Sequence, residues 1–123
     1  MVLSKLSLDD EMFFRTNFRS MLRQSRVEFG QWKGTRNIVF LQQASEKVFN
    51  ALEELSQVRS LSKFESHGDF RSTFRQLGFP SNVLSSAEEL HKFFYNGESF
   101  EKDTKYIEVS YLVVYNFLLG QKV

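Results

Sequence analysis

The sequence predicts an all-α fold, an antiparallel bundle of four to five helices that forms a single domain over residues 1–123. Its 123 residues suit one ordinary domain, long enough to close a core without metals or disulfides. Six glycines and one proline divide the chain and leave long segments free of both, which is typical of helices joined by short turns. Within these segments apolar residues recur at steps of three and four, the spacing of a helix with one buried stripe.

The first predicted helix covers residues 8–29. Ser7 is a candidate N-cap, and the acidic residues after it suit the positive end of the helix dipole. Gly30 and Gly34 are expected to bracket the break that follows this helix. The residues of its buried stripe are Phe14, Phe18, Met21, Leu22 and Ser25.

Three more helices are predicted between residues 35 and 97. The second covers residues 35–57, and its stripe consists of Leu41, Ala44, Val48, Leu52 and Leu55. The third is short, is capped at residues 66–69, and turns Phe70, Phe74 and Leu77 inward. The fourth starts after Pro80 and stops at Asn96-Gly97. Its buried residues are Val83, Ala87, Leu90 and Phe94.

The last segment could be a strand or a helix by composition. Residues 109–119 are rich in Val, Tyr, Leu and Phe, which favours a buried strand, but no second strand-like run is present to pair with it. Ser99 as a cap, with Glu101 and Asp103 in the first turn, favours one helix over residues 100–119. The predicted core of the bundle consists of Phe14, Phe18, Leu22, Leu41, Val48, Leu52, Phe74, Leu90, Val114 and Leu118.

The composition is that of a globular protein, with 41% hydrophobic and 25% charged residues. The net charge of +1 gives no global attraction to nucleic acid or an anionic membrane, so such a partner would need a local patch. No cysteine is present, which excludes disulfides and thiolate chemistry and fits a reducing cytoplasm. The most apolar window, residues 109–119, is too short to span a bilayer. We therefore expect a soluble, cytoplasmic protein.

A row of arginines lies beside the apolar stripe of the first predicted helix. Its members, within about 80° of one another on a helical wheel, are Arg15, Arg19, Arg23 and Arg26. Four guanidinium groups in a row could engage successive phosphates of a nucleic acid. The alternative is a solvated helix face whose arginine stems cover the edge of the core.

Sequence motifs for several common chemistries are missing. The two histidines are 24 residues apart, and there is no HExxH motif, no Cys/His cluster and no Gly-rich phosphate loop. We therefore expect no metal site and no cofactor. The candidates for chemistry are the histidines themselves.

His91 lies near the end of the fourth predicted helix, at the margin of its buried stripe and one turn before Tyr95. That position could leave an imidazole partly desolvated but reachable, as an acid–base group must be. The same position also suits a structural histidine that hydrogen-bonds across the bundle, which is the more common role of a single histidine on a helix. His67, at the predicted start of the third helix, is either a turn residue or a second histidine of the same site.

Three stretches resemble the archaeal PaREP-type branch of the HEPN superfamily. They are FLQQASEKVFNALEEL (40–55), SHGDF (66–70) and AEELHKFFYNGE (87–98), followed by a long apolar helix. The resemblance covers residues 37–119 and rests on the helix order, the Ala-Ser-Glu-Lys run and the histidine before Phe-Tyr at a helix end. It implies a compact bundle of four or five helices and a homodimer. It also implies action on RNA, or a place beside a nucleotidyltransferase in defence and toxin–antitoxin systems.

The ribonucleases of this superfamily carry an arginine four to six residues ahead of a histidine on the helix before the last. His91 matches that histidine by position, and Tyr95 lies two residues beyond the expected tyrosine. The arginine does not carry over, because Leu84, Ser85 and Ser86 occupy its candidate positions. A guanidinium at that place would stabilise the charge that develops on the phosphate in the transition state.

Two hypotheses for function follow. The first is a non-catalytic homodimer that binds RNA, a nucleotide or a partner protein. The second is a metal-independent ribonuclease that uses His91 as acid–base, with Lys92, Arg75 or a residue of the second subunit in place of the missing arginine. The missing arginine favours the first. The predicted helix 100–119 is apolar on nearly all sides, which predicts that a second subunit covers it, with Val113 and Phe117 in the interface.

Overall fold

The computed structural model describes residues 4–5, 7–63, 70–95 and 103–123. The all-α prediction is confirmed. The helices are α1 (Leu8–Thr35), α2 (Ile38–Ser60), α3 (Phe70–Gln76), α4 (Ser81–Tyr95) and α5 (Thr104–Leu119). Two strands of two residues each, β1 (Ser4–Lys5) and β2 (Ser62–Lys63), pair antiparallel with Ser4 opposite Lys63. Residues 66–69 and 96–102 lie outside this described part. Several sequence predictions fall on those residues: the caps at Ser99 and at residues 66–69, Glu101 in a first turn, the Asn96-Gly97 stop, and His67.

Helix α2 is the central element of the bundle. Helix α1 packs along it, α4 and α5 pack on it and on each other, and the short α3 packs on α2 and α4. Its buried residues cover most of the helix circumference and are Leu41, Ala44, Ser45, Val48, Phe49, Ala51, Leu52, Glu53, Leu55, Ser56, Gln57 and Val58. A helix with so wide a buried surface needs several neighbours, and four helices supply them, while Val39, Gln43 and Glu46 mark the narrow exposed side.

The predicted break at Gly30 and Gly34 is wrong, because α1 continues through both glycines to Thr35. Each glycine in a helix costs about 1 kcal/mol relative to alanine, which is less than the packing of the next turn contributes. That turn buries Trp32, which is 3% exposed. The helix ends where Arg36 takes a left-handed backbone conformation and donates its N–H to the carbonyl of Trp32 at 2.7 Å.

The predicted core is confirmed at all positions but one. Leu22 is only partly buried, although it packs against the core. On α4 the fully buried aromatic residue is Phe93, whereas Phe94 is partly buried. The segment that could have been a strand is helical, and Asp103 is its N-cap, accepting a hydrogen bond from the N–H of Lys105 at 2.9 Å. The buried apolar residues of α5 are Ile107, Tyr111, Val114, Tyr115 and Leu118.

Glu108 joins the end of α1 to the start of α5. Its carboxylate accepts hydrogen bonds from the indole N–H of Trp32 at 2.8 Å and from Arg36 at 3.1 Å, and Lys33 lies 3.5 Å away. The Arg36 guanidinium also lies 4.2 Å from the centre of the Trp32 ring. Burial alone would raise the pKa of Glu108, but the Trp32 hydrogen bond and the two cations outweigh it and lower that pKa.

We expect Glu108→Gln to lower the free energy of unfolding by roughly 1–3 kcal/mol at pH 7, because it removes charge-assisted hydrogen bonds. The pKa of Glu108 is lower in the folded than in the unfolded chain. Its contribution is therefore complete above the ordinary glutamate value of 4.5 and is lost as the pH falls through the folded-state pKa. Parent and variant should converge in stability at acidic pH, as measured by urea unfolding at pH 7 and at successively lower pH.

Glu46 on the exposed side of α2 is the matched control. Glu46→Gln should change the free energy of unfolding by no more than about 0.5 kcal/mol at either pH. If Glu108→Gln lowered the free energy of unfolding by the same amount at every pH, the role assigned to the carboxylate charge would be contradicted.

Candidate functional site

His91 lies in a cluster of aromatic rings where α2, α3 and α4 meet. The centre of its ring is 5.1 Å from that of Phe49, 5.1 Å from Phe70 and 5.4 Å from Phe94. Tyr95, one turn later on α4, stacks on the imidazole at 4.8 Å with an interplanar angle of 16°. The sequence predicted His91 and Tyr95 as partners in one site, and the structure does bring them into contact.

The surroundings of His91 bear on its chemistry. The side chain is partly buried and its Nε2 atom has no contact with solvent. An acid–base group must come within about 2.6–3.2 Å of the proton that it transfers. A substrate cannot approach Nε2 that closely in this conformation, because the atom is shielded from solvent. This geometry favours the structural interpretation of His91, while Tyr95, 64% exposed, covers it on one side.

A groove between α3 and α4 was not predicted as a site. Its cavity of about 390 Å³ is lined by two arginines of α3, Arg71 and Arg75, and by two glutamates of α4, Glu88 and Glu89. The Nε–H of Arg71 donates to Glu88 at 2.5 Å, and the Arg71 guanidinium lies 5.0 Å from the centre of the Phe70 ring. Phe70 therefore contacts both Arg71 and His91.

The two predicted substitutes for the missing arginine differ in their contacts. Arg75 lies in the last turn of α3 and lines the groove. Lys92 lies 3.8 Å from Glu89, one turn earlier on α4. The only sequence signal for the groove is the spacing of four between Arg71 and Arg75, which places both on one face of α3.

Three members of the arginine row of α1 are exposed and Arg15 is partly buried, and most of the four bond within the fold. Arg15 pairs with Glu11 at 2.8 Å, and Arg19 donates to the backbone carbonyl of Val123 at 2.5 Å. Arg26 donates to the Tyr115 hydroxyl at 3.3 Å, and this bond raises the pKa of the Arg26 guanidinium. Arg23 makes no hydrogen bond or ion pair with residues of the described part.

Helix α5 has an exposed apolar face beside that row. Val109, Leu112 and Leu119 are 58%, 42% and 59% exposed, and Tyr106 extends the face at its start. Leu112 and Arg26 both line a cavity of about 330 Å³ between α1 and α5. The C-terminal end of the arginine row, at Arg26, therefore adjoins the apolar face, which sequence alone did not reveal.

The two α5 residues predicted for the dimer interface lie nearer the core than expected. Val113 and Phe117 are partly buried and pack against the core. The Phe117 ring contacts Phe79 with centres 5.3 Å apart. The outward residues are Leu112 and Val109 instead, because an almost uniformly apolar helix does not indicate which side faces inward.

Beneath the α1–α5 cavity lies a polar core contact. The Tyr111 ring stacks on Phe29 at 4.3 Å, and its hydroxyl shares a hydrogen bond with Ser25 at 3.1 Å. Burial raises the pKa of Tyr111, so this hydroxyl stays protonated at any physiological pH. Close by in the chain, Glu28 of α1 forms an ion pair with Lys47 of α2. The contacts of Tyr111 with Phe29 and Ser25 join α5 to α1 at the floor of this cavity.

No family model, curated protein or solved structure matches the chain. Within residues 4–5, 7–63, 70–95 and 103–123, no three His, Asp or Glu side chains converge as a metal site would require. No helix in that same part of the chain has the length and apolar character needed to cross a membrane.

We expect His91→Ala to lower the free energy of unfolding by about 2–4 kcal/mol, because it leaves a cavity among aromatic rings. His91→Phe keeps most of that packing and should cost less than about 1.5 kcal/mol. Urea unfolding monitored by circular dichroism measures both. If His91→Ala were as stable as the parent, the structural role would be wrong.

Proposed function

We propose that this chain is a non-catalytic binding module of the HEPN type, which forms a homodimer through α5 and binds RNA along the arginine row of α1. The observation that carries the proposal is the surface on which the exposed apolar face of α5 adjoins Arg26, the last member of the arginine row. The resemblance of residues 37–119 to the PaREP-type branch points to the same class of protein. It also suggests a role in archaeal defence or toxin–antitoxin systems.

A second copy of the chain is the occupant that suits the α5 face. Val109, Leu112 and Leu119 form a row of large apolar side chains, and exposed patches of this kind usually mark an interface. No charged residue occurs between residues 109 and 119. Two copies related by a twofold axis would therefore bury matching uncharged surfaces without placing like charges against each other.

RNA is the partner that suits the arginine row. Guanidinium groups spaced along one helix can contact successive phosphates, and Arg23 is available without breaking any bond to the described residues. Arg26 could exchange the neutral Tyr115 hydroxyl for a phosphate, which is the stronger acceptor. A twofold dimer would carry two such rows at the rim of its interface.

The enclosed position of His91 supports binding without cleavage. The ribonuclease alternative requires a phosphate to reach the His91 imidazole, but aromatic rings surround it and its Nε2 atom is shielded. Arg71 contacts the same Phe70 ring, yet its Nε–H is committed to Glu88. If the ribonuclease alternative is correct, the RNA assay will detect it as cleavage of the RNA.

We expect Leu112→Glu to convert the dimer to a monomer, because a twofold interface would bury the new carboxylate twice without partners. Light scattering coupled to gel filtration should give twice the chain mass of 14.5 kDa for the parent and 14.5 kDa for the variant. Val39→Glu, on the exposed side of α2, and Arg19→Glu should both remain dimeric. A parent of 14.5 kDa at tens of micromolar would contradict the dimer. Val113→Glu and Phe117→Glu are poorer tests, since both residues also contact the core.

We expect Arg23→Ala to weaken binding of a single-stranded RNA several-fold and to reduce the dependence of the affinity on salt. Fluorescence anisotropy with an RNA that lacks terminal phosphates, in the presence of a chelator, measures both. Arg75→Ala removes an equally exposed arginine from α3 and should bind that RNA like the parent. RNA affinity unchanged in Arg23→Ala would contradict the proposed surface. Cleavage by the parent that His91→Ala lacks would establish the ribonuclease instead.

A further inference from the structure

The groove between α3 and α4 has a different charge at each end. The α3–α4 turn brings Arg75, near the end of α3, close to Ser81, the first residue of α4, and both line the cavity. Farther along α4, Glu88 and Glu89 line the same cavity. The groove therefore has a cationic, hydroxyl-bearing end and an end where the carboxylates lie together with Arg71, which is paired with Glu88, and Ser85 lies between the two ends.

The internal bonds of the groove leave Arg75 uncommitted. Arg71 donates its Nε–H to Glu88, and Glu89 lies near Lys92. Arg75 is exposed and makes no hydrogen bond or ion pair with the residues that the structure describes. The cationic end therefore has an arginine and a serine hydroxyl that can bind a phosphate, and guanidinium groups bind phosphate strongly because they can donate two parallel hydrogen bonds.

The dimensions of the groove limit the size of its ligand. The cavity of about 390 Å³ lies within the range of small-molecule sites. Ser81 and Glu88 are seven residues apart on α4, which corresponds to about 10 Å along the helix. Inorganic phosphate is too small to span that distance, whereas a phosphate ester with a sugar attached reaches most of it.

We propose that this groove binds a small phosphate monoester that carries hydroxyl or amino donors at its other end, as a sugar phosphate or a nucleoside monophosphate does. The phosphate contacts Arg75 and Ser81, and the carboxylates of Glu88 and Glu89 accept hydrogen bonds from the hydroxyl or amino groups. This site goes beyond the proposed RNA surface, since it lies on α3 and α4 and shares no residue with the arginine row.

Isothermal titration with ribose 5-phosphate, adenosine 5′-monophosphate and inorganic phosphate tests the proposal. At least one of the two esters should bind with one site per chain, and about tenfold more tightly than inorganic phosphate. Arg75→Ala should weaken that binding about tenfold, the effect of losing one charge-assisted hydrogen bond. Equal affinity for the two esters would assign a sugar phosphate, and tighter binding of the nucleotide would assign a nucleoside monophosphate.

Two further variants have different purposes. The first distinguishes this site from the RNA surface, and the second tests whether the carboxylate end of the groove contributes to binding of the ester. Arg23→Ala should bind the esters like the parent, so a failure of the RNA proposal leaves this result unchanged. Glu88→Gln should release Arg71 and bring the affinities for ester and inorganic phosphate closer together. The proposal is overturned if neither ester binds at millimolar concentration, or if Arg75→Ala binds them like the parent. It is also overturned if Glu88→Gln leaves the preference for the ester unchanged.

Discussion

The burial of most of the α2 surface determines how the rest of the chain is arranged. Only a narrow side around Glu46 meets water, and the buried serines of α2 are satisfied within the helix: Ser45 and Ser56 donate to carbonyls four residues earlier at 2.8 and 2.7 Å. Because α2 makes few polar demands on its neighbours, they cover it mainly by apolar packing. Each neighbouring helix packs one face against α2, and its other faces are either packed against a different helix or exposed to solvent.

The division of the surface into two regions follows from this arrangement. Helices α1 and α5 meet on one side of α2, where Trp32, Arg36 and Glu108 join them and the arginine row adjoins an apolar face. Helices α3 and α4 meet where Phe49 of α2 contacts the rings of Phe70 and His91. The α1–α5 side carries uncovered apolar surface and cations, whereas the α3–α4 side carries a charged groove. The two regions therefore differ in their surface chemistry.

The helix periods were predictable from sequence because buried residues must repeat every three or four positions whatever their neighbours are. Leu41, Val48 and Leu52 were assigned to the core on that basis and are buried. The continuation of α1 beyond Gly30 was not predictable, since it depends on Trp32 and Arg36 reaching Glu108, 72 or more residues away in sequence. The inward side of α5 was also ambiguous, because apolar residues surround that helix and only its contacts distinguish Leu112 from Val113.

His91 matches the histidine of the ribonuclease pattern by position, although the arginine of that pattern is missing. The contacts of His91 in the structure provide a packing role for this residue. Its ring contacts Phe49 of α2 and Phe70 of α3 while its backbone belongs to α4, so one side chain holds three helices together. The same Phe70 ring lies against Arg71, which pairs with Glu88 across the groove. The aromatic cluster therefore sets the spacing of α3 and α4, and with it the separation of the charges in the groove. His91 therefore has a packing role that links the geometry of the groove to the core of the bundle.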